Sequence, residues 1–330
     1  MRQQHVTKWE RASAIRGAIW SGVIAGTALL AMGGGAAFPT LGQESQKPIQ
    51  VQTNLVTLFV TVRDHHNAIV TNLKKEDFHI YEDNAPQQIA FFSKEVSMPI
   101  TMGLLMDTSG SEQATLPAEQ QAATEFMQQV MRKGDLSMVL SFDEDVDLLA
   151  DFTEDKSEID RAIMRTRINA PTGAIGPIGH QNVVGTAFYD AVYLAAHDEL
   201  AGQAGRKAMI ACTDAHDEGS KLKIQDAIEA AQRADTVIHI LLVYDPRQGA
   251  DEGGAQKMTN ETGGRLVVVR NEKSLHQAFD TISEELRHQY VVGYYPTNTA
   301  RDGAFRKIRV EVSPADMKIL ARKGYYAPKD

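Results

Sequence analysis

The chain has 330 residues, 43% of them hydrophobic and 23% charged, with a formal net charge of −9. That balance excludes a disordered chain, and the length allows a sizeable core shared between two domains. The excess of acid, with no basic stretch to offset it, excludes binding to a nucleic-acid backbone.

Residues 1–42 read as an export signal. Arg2, Lys8, Arg11 and Arg16 make a basic start, residues 18–38 carry no charge, and small residues follow. Ala36-Ala37 and Thr40-Leu41-Gly42 are the candidate cleavage sites. Basic, apolar and small, in that order, is the pattern of a secretory signal. An uncleaved anchor is the alternative, since the uncharged run just reaches the length of a bilayer span, but its five glycines weaken it. Membrane contact is expected only if this segment stays attached. Without residues 1–42 the formal charge falls to −12, because they hold four basic residues and one acid. Cys212, the single cysteine, lies in the apolar run 208–212 and reads as a buried strand thiol, not a disulfide partner.

Residues 49–97 read as strands. The unbroken run 55–62 suits a strand buried on both faces, His65-His66-Asn67 makes a turn, and 78–81 and 88–92 are further strands around the turn Glu82-Asp83-Asn84. From Pro99 the pattern changes. Strands at 100–106, 136–142, 146–152, 207–213, 236–243 and 266–269 are interspersed with helices at 117–132, 157–166, 186–200, 224–234 and 275–287. That order describes an α/β, Rossmann-like domain, a mostly parallel central sheet with helices on both faces. After Gln289 strands return at 290–295, 305–312 and 319–326. Each end is too small for its own core. The economical arrangement is a small β-sandwich built from residues 49–97 and 289–328, with the domain 98–288 inserted between its halves.

Ligands of such sheets bind outside the carboxyl ends of the strands. There the run 100–106 closes on Asp107-Thr108-Ser109-Gly110-Ser111, an acid followed by two hydroxyls spaced i, i+2. Hard divalent cations prefer such oxygen donors. Thr186 opens a helix after the loop 171–184, and Asp214 ends the strand 207–213, so both reach the same rim.

With these residues in hand, the chain resembles the von Willebrand factor A domain, whose metal-ion-dependent adhesion site joins Asp-x-Ser-x-Ser to a separate Thr and a separate Asp. The resemblance implies Mg2+ (or Mn2+) held directly by Ser109, Ser111 and Thr186, with Asp107 and Asp214 acting largely through water. The open position would take an exposed Asp or Glu of a protein partner, since acids held back from the ion leave it less neutralised. The flanks, among them Lys75-Glu76-Asp77-Phe78, Gln289-Tyr290-Val291-Val292-Gly293-Tyr294-Tyr295-Pro296 and Arg322-Lys323-Gly324-Tyr325-Tyr326, look like the acidobacterial VWFA-related proteins. That likeness spans roughly residues 50–328. One departure is Ala215-His216 after Asp214, where many relatives carry Gly and an acid.

Other candidates have simpler readings. His216, Asp217 and Glu218 read as a solvated loop, and Asp143, Glu144, Asp145 and Asp147 as an acidic turn. Tyr294-Tyr295 and Tyr325-Tyr326 read as cover for the sandwich. Asp107 lacks a second acid at +2 for phosphoryl transfer. No Gly-x-Ser-x-Gly elbow, phosphate-binding Gly-Lys-Ser/Thr loop or His-Glu-x-x-His occurs. The expectation is therefore an exported bacterial binding module, periplasmic, cell-surface or secreted, and not an enzyme. A structural or assembly role in which the ion only stabilises the rim is the alternative, and a metal-dependent hydrolase ranks last.

Overall fold

The computed structural model describes residues 55–94, 98–168, 185–243 and 249–329. The expected export signal and the loop 171–184 lie outside the described residues. Among the described residues, no helix is long and apolar enough to cross a membrane.

Strand β1 (Val56–Arg63) is buried along most of its length. Val56, Leu58, Val60 and Val62 enter one apolar cluster with Phe78, Ile80, Tyr290, Val292 and Tyr294. The alternate residues face the opposite way, as the two-residue period of a strand requires. There the Arg206 guanidinium lies over the Phe59 ring, and Arg63 reaches Glu285. Doubly buried, β1 shows why the run 55–62 has no polar alternation.

Two antiparallel sheets enclose that cluster. In the first, β1 runs between β11 (Tyr290–Tyr294) and β13 (Lys318–Leu320), with β4 (Ile89–Ser93) beyond β11. The second has the order β14 (Gly324–Tyr326), β12 (Phe305–Val312), β2 (Phe78–Glu82), β3 (Ala85–Gln87). Asp83 and Asn84 have φ of 47° and 68°, the paired left-handed residues of a two-residue hairpin turn. The run 319–326, expected as one strand, is divided between the sheets, and β3 is an additional strand ahead of the expected 88–92. The stretch 85–93 changes sheet at Gln88, and the run 319–326 breaks between Leu320 and Gly324. At the second break Arg322 leaves the ladder to donate to the Thr57 carbonyl at 2.8 Å and to Asp235.

The central sheet has the order β10 (Leu266–Val269), β9 (Thr236–Val243), β8 (Arg206–Thr213), β5 (Ile100–Asp107), β6 (Leu136–Phe142), β7 (Val146–Thr153). All pairs are parallel except β6 with β7. Met102, Leu104 and Met106 of β5 pack on one face with helices α1 (Leu116–Val130), α2 (Lys156–Ile163) and α6 (Glu272–Arg287). Leu105 packs on the other with α3 (Phe188–Leu194), α4 (Ile224–Arg233) and α5 (Glu252–Thr262). Helix α3 runs on through a π-helical stretch, Ala195–Leu200. Helix α6 starts a turn earlier than its apolar stripe shows, because Asn271 caps it by accepting from the Ser274 amide at 2.9 Å. Helix α5 had no signal: Gly253-Gly254 lie in its first turn, and Asp251 holds it by accepting from the Gly254 amide at 2.9 Å.

Sandwich and α/β sheet belong to one unit, Gln52–Asp330. Glu285 of α6, fully buried, accepts from Arg63 of β1 at 2.9 Å and from Arg265. Gly263, with φ of 84°, ends α5 directly against the backbone of Ala321 and Arg322. A Cβ there would lie 2.4 Å from the Arg322 nitrogen, so the left-handed cap and the close approach both demand glycine.

Candidate metal centre

Adjacent parallel strands β5 and β8 end side by side, Met106 opposite Cys212, so the next residues of each emerge at one rim. Asp107 is fully buried there. Its Oδ1 accepts from the Ser109 amide at 2.9 Å and its Oδ2 from the Thr213 hydroxyl at 2.6 Å. These bonds turn the chain sharply after β5 and bring the Ser109 and Ser111 hydroxyls to 2.9 Å from each other. Asp214 accepts from the His216 amide at 3.0 Å, and Ala215 between them has φ of 62°. A residue with a Cβ thus occupies a left-handed position, which costs roughly 1 kcal/mol relative to glycine.

Thr186 is tied to the loop after Asp214 through its backbone: its carbonyl accepts from the Glu218 and Gly219 amides, both at 3.1 Å. The contact brings Gly185 so near Gly219 that a Cβ on Gly185 would lie 2.9 Å from the Gly219 Cα. The same segment is held from β6, since the Ala187 amide donates to the Asp143 carbonyl at 2.7 Å. Asp143 itself is buried, and its carboxylate accepts from the Thr108 hydroxyl at 3.0 Å and the Asp145 amide at 3.1 Å. It is therefore a clasp between the Asp107 loop and the start of α3, not a member of a solvated turn. Asp217 likewise departs from the solvated-loop reading. It accepts from the Tyr189 amide at 3.0 Å and the Ser220 hydroxyl at 2.5 Å, pinning the first turn of α3.

Two acids that drew no attention in the sequence complete the rim. Glu112 follows Ser111 in a short 3-10 turn, Gly110–Ala114, and is 1% exposed while its neighbours Gln113 and Ala114 face solvent. Asp107, Glu112 and Asp214 each offer a carboxylate oxygen, and these oxygens lie within 4.8 Å of one another. Glu119 sits behind them, fully buried, with no hydrogen-bond partner on either oxygen. The available signal was its place in the stripe Glu119, Ala122, Ala123, Phe126, where the spacing of α1 calls for an apolar residue.

Burial pushes the Asp107 carboxyl up to about 7, and the nearby Glu112 adds to the rise. Glu112 and Glu119 are both raised as well, first by burial and then by repulsion among the acids. None of the ion pairs among the described residues reaches any of the four. Four buried acids and two hydroxyls with no counter-charge of their own are a fit for a hard divalent cation. Cys212 does not join them: it is fully buried, and burial together with the surrounding acids drives its thiol well above the ordinary range, so it stays protonated.

Residues 102–216 match the von Willebrand factor type A domain. The chain therefore carries a von Willebrand factor type A domain, and its α/β sheet and helices are that domain's fold. Among solved structures it is similar to the hypothetical protein BatB from Bacteroides thetaiotaomicron, at 16% identity over 57% of this chain and 98% of that one, with a TM-score of 0.45. It is also similar to a von Willebrand factor type A protein from Catenulispora acidiphila, at 11% identity over 84% and 75% of the two chains, with a TM-score of 0.46. A third likeness is to proximal thread matrix protein 1 from the mussel byssus with a zinc-occupied MIDAS motif. It has 13% identity over 62% and 49% of the chains and a TM-score of 0.48. No curated protein matches the chain.

Proposed function

We propose that the chain is an exported, divalent-cation-dependent binding module, in which Asp107, Ser109, Ser111, Thr186 and Asp214 hold Mg2+ or Mn2+. The ion supplies a positive centre for an exposed Asp or Glu of a protein partner. The observation that carries this reading is the convergence of the Asp107 and Asp214 carboxylates beside the paired Ser109 and Ser111 hydroxyls at the carboxyl rim of the sheet. The chain's own part is to position: Thr213 and the Ser109 amide fix Asp107, the His216 amide fixes Asp214, and Asp143 braces the loop from below.

The wider reading is a member of the VWFA-related group with its binding domain at 98–288, a bracing sandwich from 49–97 and 289–328, and an export signal at 1–42. Calorimetric titration with Mn2+ tests the site. Ser109→Ala and Asp214→Asn should abolish the binding isotherm while leaving the circular dichroism unchanged. Capture from a bacterial envelope extract should then need divalent cation and fail with Asp214→Asn. Capture that is equal in EDTA would defeat the reading.

A further inference from the structure

The Asp-x-Ser-x-Ser, Thr and Asp set does not account for Glu112. We propose that Glu112 is a further ligand of the same cation, a carboxylate supplied by the chain itself that competes with an outside acid for the ion. This rests on the cation reading above and adds a regulator to it.

The first ground is distance. Divalent cations such as Mg2+ and Ca2+ hold oxygens at about 2.0–2.6 Å, so two ligands on opposite sides of one ion are roughly 4–5 Å apart. The carboxylate oxygens of Asp107, Glu112 and Asp214 lie within 4.8 Å of one another, so Glu112 is near enough to reach an ion that Asp107 and Asp214 hold directly or through water. The second ground is what the chain does to put Glu112 there. In the turn Gly110–Ala114, Gln113 and Ala114 are exposed and Glu112 alone is turned inward. One of its oxygens, Oε2, is anchored by the Thr115 hydroxyl at 2.6 Å, which fixes the side chain in that direction.

The third ground is Glu119. Fully buried and with neither oxygen partnered, it is set against this cluster from α1, and a buried carboxyl without a donor needs a reason. Two facing carboxyls are both acceptors, so Glu112 gains nothing from Glu119 unless a proton or a cation lies nearby. Glu119 therefore makes the inward position of Glu112 dependent on a proton or on the ion.

The consequence is a change in what the ion offers. Asp107 and Asp214 alone balance its two charges; a third carboxylate overbalances it, holding the cation more firmly and lowering its pull on any outside acid. A partner's carboxylate must then displace Glu112 before it binds. The free site is self-closed, and its affinity for acids is set by the cost of that exchange.

Mn2+ serves as the probe, with calorimetry for affinity and water-proton relaxation for the number of waters on the ion. Wild type, Glu112→Gln, Ser109→Ala and the exposed-neighbour control Gln113→Ala are compared, each checked for fold by circular dichroism, with Glu112→Ala as a second variant at the position. The expected result is a loss of Mn2+ affinity of about tenfold or more in Glu112→Gln, a gain of one bound water, and displacement of that water by acetate at lower concentration than in wild type. Gln113→Ala should match wild type. If Ser109→Ala abolishes binding while both Glu112 variants keep wild-type affinity and water count, the Glu112 proposal is overturned and the cation site stands. If wild type itself binds no Mn2+, both fall together.

Discussion

Two buried charge clusters sit in this molecule, and they are built on opposite plans. At the junction of sandwich and A domain, one acid, Glu285, is held between two arginines, Arg63 and Arg265. At the sheet rim, four acids, Asp107, Glu112, Glu119 and Asp214, converge with no ion pair to a basic side chain among the described residues. The first cluster supplies the acid's counter-charge from within, so it needs no outside cation and serves as a joint. The second is unbalanced, and a buried imbalance of that size is tolerable only if protons or an outside cation correct it. Burial alone does not mark a functional site; burial without a counter-charge does.

The largest effect that tests this contrast is at the joint. Glu285→Ala should cost about 3–5 kcal/mol in urea denaturation, because it strands two arginines, and Mg2+ should recover none of it. At the rim the dependence should be the reverse. Mg2+ at about a hundredfold over its dissociation constant should stabilise wild type by about 2.7 kcal/mol, and Asp214→Asn should lose that gain in a thermal-shift comparison with EDTA.

The pH response sharpens the contrast further. The Asp107 carboxyl, raised to about 7, favours its neutral form in the fold. Stability from this group is thus fully present below the ordinary carboxylate range and is lost as pH rises through 7. Asp107 alone should weaken the metal-free protein by about 2 kcal/mol between pH 5 and pH 7, the raised Glu112 and Glu119 carboxyls act in the same direction, and saturating Mg2+ should flatten that slope. His239 in β9 runs the other way. Fully enclosed, it is pushed down to about 3 by burial and by Arg265, so its contribution is present above 6.5 and lost as pH falls toward 3. Replacing it with Leu should remove that acid-side slope without altering the Mg2+ response. The smallest effect belongs to Ala215→Gly. Relief of the left-handed φ and loss of a buried methyl oppose each other at about 1 kcal/mol each, so stability should change by under about 1 kcal/mol. A large shift would show that the Cβ itself helps shape the rim.

Much of the fold was legible because it follows from local periodicity. The strands Leu136–Phe142, Thr236–Val243 and Leu266–Val269 begin and end where their apolar runs do. The elements that escaped are those whose cause is tertiary. Nothing local at Gln88 or Arg322 announces a change of sheet, since the partners that divide these runs come from the far end of the chain or the other domain. Helix α5 carries two glycines in its first turn and relies on Asp251 and on packing by Ala255 and Met258. At the rim, Asp107 and Asp214 were legible because both follow strands of a parallel sheet. Glu112 and Glu119 were not, because an acid in sequence looks solvated until packing turns it inward. Asp143 and Asp217 misled for the same reason.

The pairing of β1 with β11 has a consequence for how the chain comes to be folded. Val56 finds Tyr294 only after the whole A domain lies between them in the sequence. The A domain, with its successive strand–helix connections, can close on shorter loops, and shorter loops close with less entropy loss. Until the last strands arrive, β1 is an apolar ribbon with both edges open, the kind of surface that recruits another chain. For a chain made from its N-terminus onward, this order keeps the sandwich from locking early. It also makes residues 290–326 the step at which a stalled or clipped chain would begin to aggregate.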